Sequence, residues 1–287
     1  MKIINDIEQM RAFVNDARAS GKSVGLVATL GGLHEGHFSL IDRARRECDV
    51  VVVSIFLNPT QFSPGEDLAA YPHSPEADRA GCESRGVDAV FAPDAEAMYA
   101  TGGLTQITVS QLSQTLCGRS RPTHFAGVCT VVAKLFNIIP GDRAYFGAKD
   151  YQQAAIIKQM AADLNFPVQI VVCPTVRQPD GLAMSSRNAY LRAAEREQAP
   201  ALHAALLLAA DTIRKTHPRA DEVIAAVVAH LSDEAPDGQI DYVQIVDPAT
   251  LADVEQTGRP VLVALAVEFG KARLIDNMLV DGPSASP

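Results

Sequence analysis

Two histidines of this chain lie three residues apart in a glycine-rich segment. Residues 29–37 read TLGGLHEGH, with His34 and His37 on either side of Gly36. If a helix begins near Gly36, both imidazoles lie on one side of its first turn, where they can donate hydrogen bonds to a polyphosphate. The glycines let the backbone approach a phosphate closely, and a helix start adds N–H groups and a positive dipole end. Taken alone, the pair also fits histidines that cap a turn, which is the commoner case, or a metal site whose third ligand is not obvious.

A second group of candidate ligand-binding residues follows the segment YFGA, residues 145–148. Lys149 stands where a mobile cation can meet an α- or β-phosphate. Asp150 either binds a ribose hydroxyl or caps the next helix. Gln153 lies one turn into that helix and would face the same ligand, although a lone glutamine is usually only a solvated side chain.

Two further polar segments have a composition that suits ligand binding. Residues 184–188 read MSSRN, and two hydroxyls with an arginine suit phosphate oxygens, although such a run is often an ordinary turn. Residues 58–62 read NPTQF, where Pro59 stiffens the turn and Gln61 can hydrogen-bond a small hydroxy acid. A basic loop, which either steers an anion or is a solvated turn, contains Arg119, Arg121, His124 and Phe125.

Short apolar runs alternate with helical patterns over the first half of the chain. Runs rich in β-branched residues predict strands buried on both faces of a parallel sheet, and apolar spacings of three and four predict helices between them. The predicted strands are 24–29, 50–57, 88–92, 144–146 and 168–172, with a weaker one at 107–109. The predicted helices are 38–47, 75–85, 127–137 and 150–162. This order indicates a Rossmann-like, doubly wound α/β fold, in which ligands bind beyond the carboxyl ends of the strands.

The pattern changes after Asn188. Two helical patterns, at 193–216 and 219–231, precede strand patterns at 240–246, 260–269 and 273–279. This order predicts a smaller α+β domain. We therefore expect a Rossmann-like domain at 1–176 and a smaller carboxyl-terminal domain at 177–287, with a loose tail at 281–287.

Composition and charge exclude several classes of protein. The chain has 287 residues, 47% of them hydrophobic, and a net charge of −9. A nucleic-acid binder usually carries a basic surface, so nucleic acid is not an expected partner. Five scattered cysteines without a Cys-x-x-Cys pair indicate free thiols in a reducing compartment. Because no signal-peptide pattern or membrane-length apolar run is present, we expect a cytoplasmic protein without a membrane partner.

Taken together, five segments resemble pantothenate synthetases, a family of nucleotidyltransferases with a His-x-Gly-His loop. Each segment is weak alone, but the set follows the family's order and spans more than half of the chain. The matching segments are TLGGLHEGH (29–37), SIFLNPTQF (54–62), SRPTHFAGV (120–128), YFGAKDYQQ (145–153) and MSSRN (184–188).

The resemblance implies a two-step reaction. The carboxylate of pantoate would attack the α-phosphate of ATP in the presence of Mg²⁺, giving pantoyl adenylate and pyrophosphate. The amine of β-alanine would then attack the acyl carbon, releasing AMP and pantothenate. The resemblance also implies a homodimer, a smaller domain that closes over the site, and no metal ligand among the mapped site residues.

The site residues are likewise those that the resemblance implies. His37 would be the proton donor and would act with His34 and Lys149 as the catalytic set. Pantoate would bind Gln61 and Gln153, and Gln61 would also contact β-alanine. The residues expected to bind ATP are Leu30, Gly31, Gly32, Leu33, His34, Glu35, Gly36, His37, Gly147, Ala148, Lys149, Asp150, Val176, Met184, Ser185, Ser186 and Arg187.

The sequence departs from the family's pattern at a few positions. Leu30 stands where methionine is common, a change that preserves volume. Ala77, Ala126 and Ala148 stand where charged residues are common, which alters the charge around the site and its handling of metal.

Three other functions fit parts of the pattern. One is another adenylyltransferase that transfers AMP to a phosphorylated acceptor, a second is a nucleotide-binding regulator, and a third is a metal-dependent hydrolase built on His34 and His37. Gln61 and Gln153 favour the synthetase, because they suit a neutral hydroxylated acid and add no charge for a second phosphate.

Overall fold

The computed structural model describes residues 1–99 and 103–281, so most of the expected tail lies outside it. The contacts divide the chain into two units. The first comprises Met1–Ser113, Arg121–Ala148 and Gln153–Val176. The second comprises Gln114–Ser120, Lys149–Gln152 and the chain from Arg177 onward.

Two short segments belong to the second unit although the sequence pattern assigns them to the first domain. Residues 114–120 and 149–152 bind each other, since the Gln152 side chain donates to the Thr115 carbonyl at 2.7 Å. The Lys149 carbonyl also accepts a hydrogen bond of 2.7 Å from a side chain of the last strand. Contacts between residues far apart in sequence decide the division, and the periodicity of a segment does not reveal them.

Nine strands form two sheets in the described chain. A six-stranded sheet, parallel throughout, has the order β1-β4-β3-β2-β5-β6, and an antiparallel sheet has the order β7-β8-β9. The strands are β1 (Lys2–Ile4), β2 (Val24–Thr29), β3 (Val50–Ile55), β4 (Ala89–Phe91), β5 (Arg143–Gly147), β6 (Gln169–Cys173), β7 (Gln239–Val246), β8 (Val261–Phe269) and β9 (Ala272–Val280).

Helices connect these strands. In chain order they are α1 (Ile7–Ala19), α2 (Glu35–Glu47), α3 (Pro75–Ser84), α4 (Ala95–Tyr99), α5 (Cys117–Ser120), α6 (His124–Ile138), α7 (Tyr151–Asp163), α8 (Ala193–Gln198), α9 (Ala201–Thr216) and α10 (Ala220–Glu234). In the first unit α2 packs on β2, β3 and β5, while α1 packs on α6. The expected doubly wound α/β fold and the smaller α+β part are confirmed.

The strand order reverses beside β2, because β3 lies on one side of it and β5 on the other. In open α/β sheets, ligands bind beyond the carboxyl ends of the strands at such a reversal. The segment that follows β2 carries His34 and His37, so this edge of the sheet is the candidate site of the first unit.

Burial of β-branched strands holds the first unit together. Val27, Val51 and Val53 are fully buried and pack against Ile41 and Ala44 of α2. Each such side chain contributes about 2 kcal/mol when it is removed from water, so the apolar runs dominate the stability of the sheet.

Three predictions of secondary structure were wrong or incomplete. Residues 107–109 form no strand, because the Ile107 N–H donates to the Thr130 hydroxyl of α6 at 3.0 Å rather than to a neighbouring strand. The segment 193–216 is two helices, since Pro200 cannot continue a helix and stands immediately before α9. Neither β1 nor α1 was predicted, although Asp6 and the spacing of Met10 and Val14 are typical of a capped amphipathic helix.

The described helices contain none that is long and apolar enough to cross a membrane. All five cysteines are buried free thiols.

Candidate active site

Residues 29–37, the histidine loop, leave β2 through two left-handed glycines. Gly31 has φ +93° and Gly32 has φ +64°, conformations that other residues rarely adopt. The Thr29 hydroxyl donates to the Ser54 carbonyl of β3 at 2.9 Å and accepts the Gly31 N–H at 3.3 Å. The glycines therefore turn the chain sharply at the end of the strand, and Thr29 fixes the direction of the turn.

A buried carboxylate of α3 holds the histidine loop in place. Asp78 is only 3% exposed, and it accepts the N–H of Gly32 at 2.9 Å and that of Leu33 at 2.7 Å. A Cβ added at Gly31 would lie 3.3 Å from the same carboxylate, so the contact also needs glycine there. Buried charge requires such partners, and the loop amides supply them.

The sequence did not predict this role of Asp78. An acidic residue in the first turn of a helix is ordinarily explained by the helix dipole, and the loop that it binds lies 46 residues earlier in the chain. Sequence alone offered one signal, the position of Asp78 beside Ala77 in the family's pattern, and that signal pointed to metal handling.

His34 and His37 together cap the start of α2. His34 is the residue before the helix, and its Nδ1 accepts the Gly36 N–H at 3.1 Å. The His34 N–H in turn donates to Nδ1 of His37 at 3.4 Å, and the two rings lie 4.1 Å apart. Both histidines therefore cap the helix, as the first of the alternatives predicted.

The caps also fix which ring nitrogens carry hydrogen. Because Nδ1 of both His34 and His37 accepts a backbone N–H, a neutral ring of either residue carries its hydrogen on Nε2. Capping and phosphate binding are thus compatible, since the cap uses Nδ1 and an anion would be met by Nε2–H. The helix begins at Glu35, one residue before the predicted position.

The segment after β3 is built around a fully buried asparagine. Asn58 receives hydrogen bonds from the Thr60 and Tyr99 hydroxyls at 2.9 and 2.8 Å, and its amide donates to Oε1 of Gln61 at 3.0 Å. Gln61 closes a short 3-10 turn, Pro59–Gln61, and is 8% exposed. With Oε1 bound to Asn58, the Nε2–H donors are the end of Gln61 suited to a substrate oxygen.

A close approach of α6 supports the same turn. A Cβ added at Gly127 would lie 2.6 Å from the Gln61 nitrogen and would collide with the Thr60 carbonyl. Gly127 is therefore required for α6 to reach the turn, and its carbonyl accepts a hydrogen bond from Asn58 at 3.3 Å. From the sequence alone, Gly127 was predicted only to lie in a helix.

Two residues of the predicted basic loop bind the protein, whereas Arg119 is exposed, as in a solvated turn. Arg121 pairs with Glu66, with a bond of 2.7 Å from Nε, and it also reaches the Gln61 carbonyl at 3.3 Å. His124 is buried and donates from Nδ1 to that carbonyl at 2.8 Å. Burial alone would raise the pKa of Glu66, but the hydrogen bond and charge of Arg121 outweigh it and lower the pKa.

The other two residues of that loop have structural partners as well. Phe125 lies in the buried core of the first unit. Arg119, in the second unit, pairs with Asp253 at 2.9 Å. Both arginines pair with carboxylates of the chain, Arg121 half-buried and Arg119 exposed, and a role in steering an anion stays a hypothesis.

The remaining first-unit candidates lie at or after the ends of β5 and β6. A Cβ added at Gly147 would meet nothing within 4 Å, so packing does not require glycine there. Gln153 is half-buried in the first turn of α7, and Val176 is half-buried where the first unit ends. Ala148 follows Gly147 in a short 3-10 turn.

The second unit carries the remaining cationic candidates. Lys149 and Asp150 lie in the turn before α7, with 3.8 Å between Nζ and Oδ1. Residues 184–187, the serine-arginine loop, contain Ser185, whose hydroxyl accepts the Arg187 N–H at 3.3 Å. Met184 and Ser186 are half-buried in the same loop. Within the described residues no group of three or more His, Cys, Asp or Glu side chains could hold a metal ion.

A doubly wound sheet whose central strand ends in a glycine-rich, histidine-capped helix start is the arrangement of a nucleotide-binding α/β protein. A family model described as pantoate-beta-alanine ligase matches residues 2–279 of this chain. The chain belongs to the pantoate-beta-alanine ligase family.

Similar proteins agree with this assignment. The chain is 52% identical to a pantothenate synthetase from Moorella thermoacetica over 285 residues, which cover 98% of this chain and 99% of the relative. It is 48% identical to one from Geobacillus thermodenitrificans, with 99% of this chain and 98% of the relative covered. These matches confirm the family and the class of ligase expected from the sequence.

Two solved structures resemble the chain closely. A pantothenate synthetase from Thermus thermophilus has a TM-score of 0.91 at 43% identity, covering 97% of this chain and 99% of that one. A pantoate-beta-alanine ligase from Francisella tularensis, complexed with beta-gamma ATP and beta-alanine, has a TM-score of 0.81 at 36% identity and covers 97% of both chains.

Proposed function

We propose that this chain joins (R)-pantoate to β-alanine, using ATP and releasing AMP and pyrophosphate through a pantoyl-adenylate intermediate. Membership of the pantoate-beta-alanine ligase family supports the reaction, and the relative complexed with an ATP analogue and β-alanine supports these ligands. The observation that carries the proposal is the histidine loop, where two capped imidazoles stand at a helix start.

The histidine loop suits the first step of this reaction. A pantoate carboxylate oxygen attacks the α-phosphorus, the bond to the bridging oxygen breaks, and negative charge grows on the departing pyrophosphate. Nε2–H of His34 and His37 would donate to those phosphate oxygens, and Lys149 would add a positive charge. Because Asp78 and the caps fix the loop before ATP arrives, little reorganisation is needed during the reaction.

The second step forms the amide. The nitrogen of β-alanine attacks the acyl carbon, the acyl–oxygen bond to AMP breaks, and the nitrogen loses a proton. We propose that the Nε2–H donors of Gln61 hold a pantoate oxygen close to the incoming amine, and that Gln153 binds the other side of pantoate. The buried bond from Asn58 to Gln61 supports this role, because it orients the amide of Gln61.

We further propose that ATP contacts Leu30 to Leu33, Glu35 and Gly36 along the histidine loop, and Gly147, Ala148 and Val176 beyond it. Asp150 would bind the ribose, and Met184 to Arg187 would bind phosphate. The open space above Gly147 supports a close ligand there. The hydroxyl of Ser185 and the cation of Arg187 are suited to phosphate oxygens.

Mg²⁺ is the metal that the family implies. It would neutralise charge on the phosphates of ATP, and it is usually held by phosphate oxygens, waters and one or two carboxylates. Asp78 fits that need, since each of its oxygens accepts one backbone N–H and keeps a further lone pair. Ala77 beside it supplies no second carboxylate, so Asp78 is the carboxylate of α3 that contacts the histidine loop.

A homodimer and a cytoplasmic location also remain proposals. Light scattering of the purified chain would report a mass twice that of one chain if it is a dimer. Cell fractionation would report the compartment, and a membrane-bound chain would contradict the proposal.

The test of the proposed function measures pyrophosphate and AMP separately. With ATP and pantoate alone, the enzyme should release pyrophosphate up to its own concentration, because the adenylate stays bound. Adding β-alanine should release AMP and start steady turnover. AMP release that ignores the amine would contradict the proposal, and so would pyrophosphate release that needs a phosphorylated acceptor instead of pantoate.

A further inference from the structure

The last strand of the second unit carries a charged residue on its buried face. Asp276 of β9 is 3% exposed and shares that face with Ala272 and Leu274. Arg177 compensates its charge through two parallel bonds, Nη1 to Oδ2 at 2.6 Å and Nη2 to Oδ1 at 3.0 Å. A buried pair of this kind adds little stability compared with apolar side chains of the same volume, so its position is the informative feature.

Arg177 organises the turn that leads into the serine-arginine loop. Its Nη1 also donates to the Gly181 carbonyl at 3.1 Å, and the strand-like bridge between Arg177 and Ala183 closes the turn. The Ala183 carbonyl then accepts a hydrogen bond of 3.1 Å from the Asn188 amide, on the far side of the loop. Asp276 is therefore linked through Arg177 to the segment in which the serine-arginine loop begins.

The neighbouring residue of β9 reaches the other proposed phosphate contact. Side chains alternate along a strand, so Asn277 points away from the face that carries Asp276. Its Nδ2 donates to the Lys149 carbonyl at 2.7 Å, while its backbone N–H donates to Oδ1 of Asp276 at 2.8 Å. Asn277 thus contacts the turn that carries Lys149 (the Lys149 turn), while Asp276 is linked through Arg177 to the segment before the serine-arginine loop. All of these residues lie in the second unit.

We propose that Asp276 and Asn277 are positioning residues, which set the distance between Lys149 and the serine-arginine loop so that both meet the phosphates of one ATP. The inference rests on the proposed function, because it takes Lys149 and residues 184–187 as phosphate contacts. Neither Asp276 nor Asn277 touches a reacting atom in this scheme. A fixed spacing of donors matters because misplacement by about 1 Å can cost about 100-fold in rate.

The test uses Asn277→Ala in the full chain and measures kinetics with each substrate in turn. The alanine removes the donor to Lys149, and we expect kcat/KM for ATP to fall about tenfold. The KM for β-alanine should stay within about twofold, because that substrate does not meet the Lys149 turn. Asn277→Gln keeps an amide donor and should recover most of the loss.

Two controls separate positioning from a general loss of structure. Gln244→Ala removes a buried side chain of β7 that bonds Asp253, in the same three-stranded sheet, and should leave kcat/KM for ATP unchanged. In a Lys149→Ala background, Asn277→Ala should change kcat/KM for ATP by less than about twofold, because residues that act through each other are not additive. The melting temperature of each variant shows that it is folded.

The outcomes distinguish this inference from the proposed function. A wild-type chain that releases no pyrophosphate with ATP and pantoate would overturn the proposed function, and this inference with it. An active wild-type chain with an unchanged Asn277→Ala variant would overturn this inference alone. An equal loss for all three substrates, or full additivity with Lys149→Ala, would also overturn it.

Discussion

The two loops proposed to bind phosphate are held in place by different means. The histidine loop is fixed by Asp78, a carboxylate 46 residues further along the chain, and by two imidazole caps. The serine-arginine loop itself carries short-range bonds, from the Arg187 N–H to Ser185 and from the Asn188 amide to Ala183, and Arg177 ties the segment before it to Asp276. A loop fixed by distant buried contacts is preorganised, whereas one closed by short-range bonds rearranges at lower cost.

This difference suits the two loops to different tasks. Groups that meet charge growing in the transition state are most effective when they are already fixed, as those of the histidine loop are. Groups that admit ATP and release products must move, and weak local closure permits that. Substitutions in the histidine loop should therefore cost more than those in the serine-arginine loop.

The largest effect is expected from His37→Ala. It removes an Nε2–H donor that would act on the departing phosphate, so kcat should fall by about 100- to 1,000-fold. The lost cap should lower stability by about 1 kcal/mol. Ser39→Ala, which removes the hydroxyl bonded to the Gly36 carbonyl on the same helix, should keep near wild-type turnover. Wild-type turnover by His37→Ala would rule out the role of this imidazole.

Asp78→Ala should be the next most damaging change. It removes the carboxylate that binds the N–H groups of Gly32 and Leu33, which should cost about 2–3 kcal/mol of unfolding free energy. The loosened loop should lower kcat/KM for ATP by about 30-fold. Glu76→Ala, an exposed acid in the same turn of α3, is the matched control and should change neither quantity. If both variants behave alike, Asp78 does not hold the loop.

Ser185→Ala should have a smaller effect, and it tests the other side of the comparison. The hydroxyl closes the serine-arginine loop through one bond of 3.3 Å to the Arg187 N–H. We expect kcat/KM for ATP to fall about fivefold, with under about 1 kcal/mol of lost stability. Ser232→Ala, in α10 of the same unit, is the control. A loss as large as that of Asp78→Ala would show that both loops need equally strong fixation.

The sequence predicted most strands, but it did not predict the residues that hold the candidate site in place. Apolar runs predicted most strands, because a strand that is buried on both faces of a sheet has a nearly continuous run of apolar residues. The glycines and histidines after β2 fitted both a phosphate site and a helix cap, and the structure shows the cap. The placement of Lys149 before α7 followed from the same strand-to-helix pattern.

The supporting residues could not be predicted for a physical reason. These residues act through contacts that are distant in the sequence. The partners of Asp78, Gly127 and Asn277 are 46, 69 and 128 positions away, respectively. A carboxylate in a first helical turn, a glycine in a helix and an asparagine in a strand each have a common local explanation. Only the packing of the folded chain shows that each of them holds a loop or a turn.

The smallest expected effect concerns the support beneath Gln61, and it depends on pH. The Glu66 carboxylate pairs with Arg121, whose hydrogen bond and charge lower its pKa against the opposing effect of burial. A lowered folded-state pKa means that the pair stabilises the chain above the ordinary glutamate pKa of 4.5 and that this contribution is lost as pH falls through the folded-state value. Glu66→Gln should therefore lower the melting temperature by about 2 °C at neutral pH, an amount typical of one partly exposed pair.

The melting temperature of Glu66→Gln should approach that of the wild type at low pH. Below pH 4.5 the difference in melting temperature between wild type and Glu66→Gln should shrink towards zero, since protonation removes the charge that the substitution removes. Glu83→Gln, which breaks an exposed pair with Arg79, should lower the melting temperature less at neutral pH, because that pair is more exposed to water. A difference that grows in acid would mean that Glu66 does not stabilise the turn through its charge. Gln61 would then be held by its direct bonds from His124, Asn58 and Arg121.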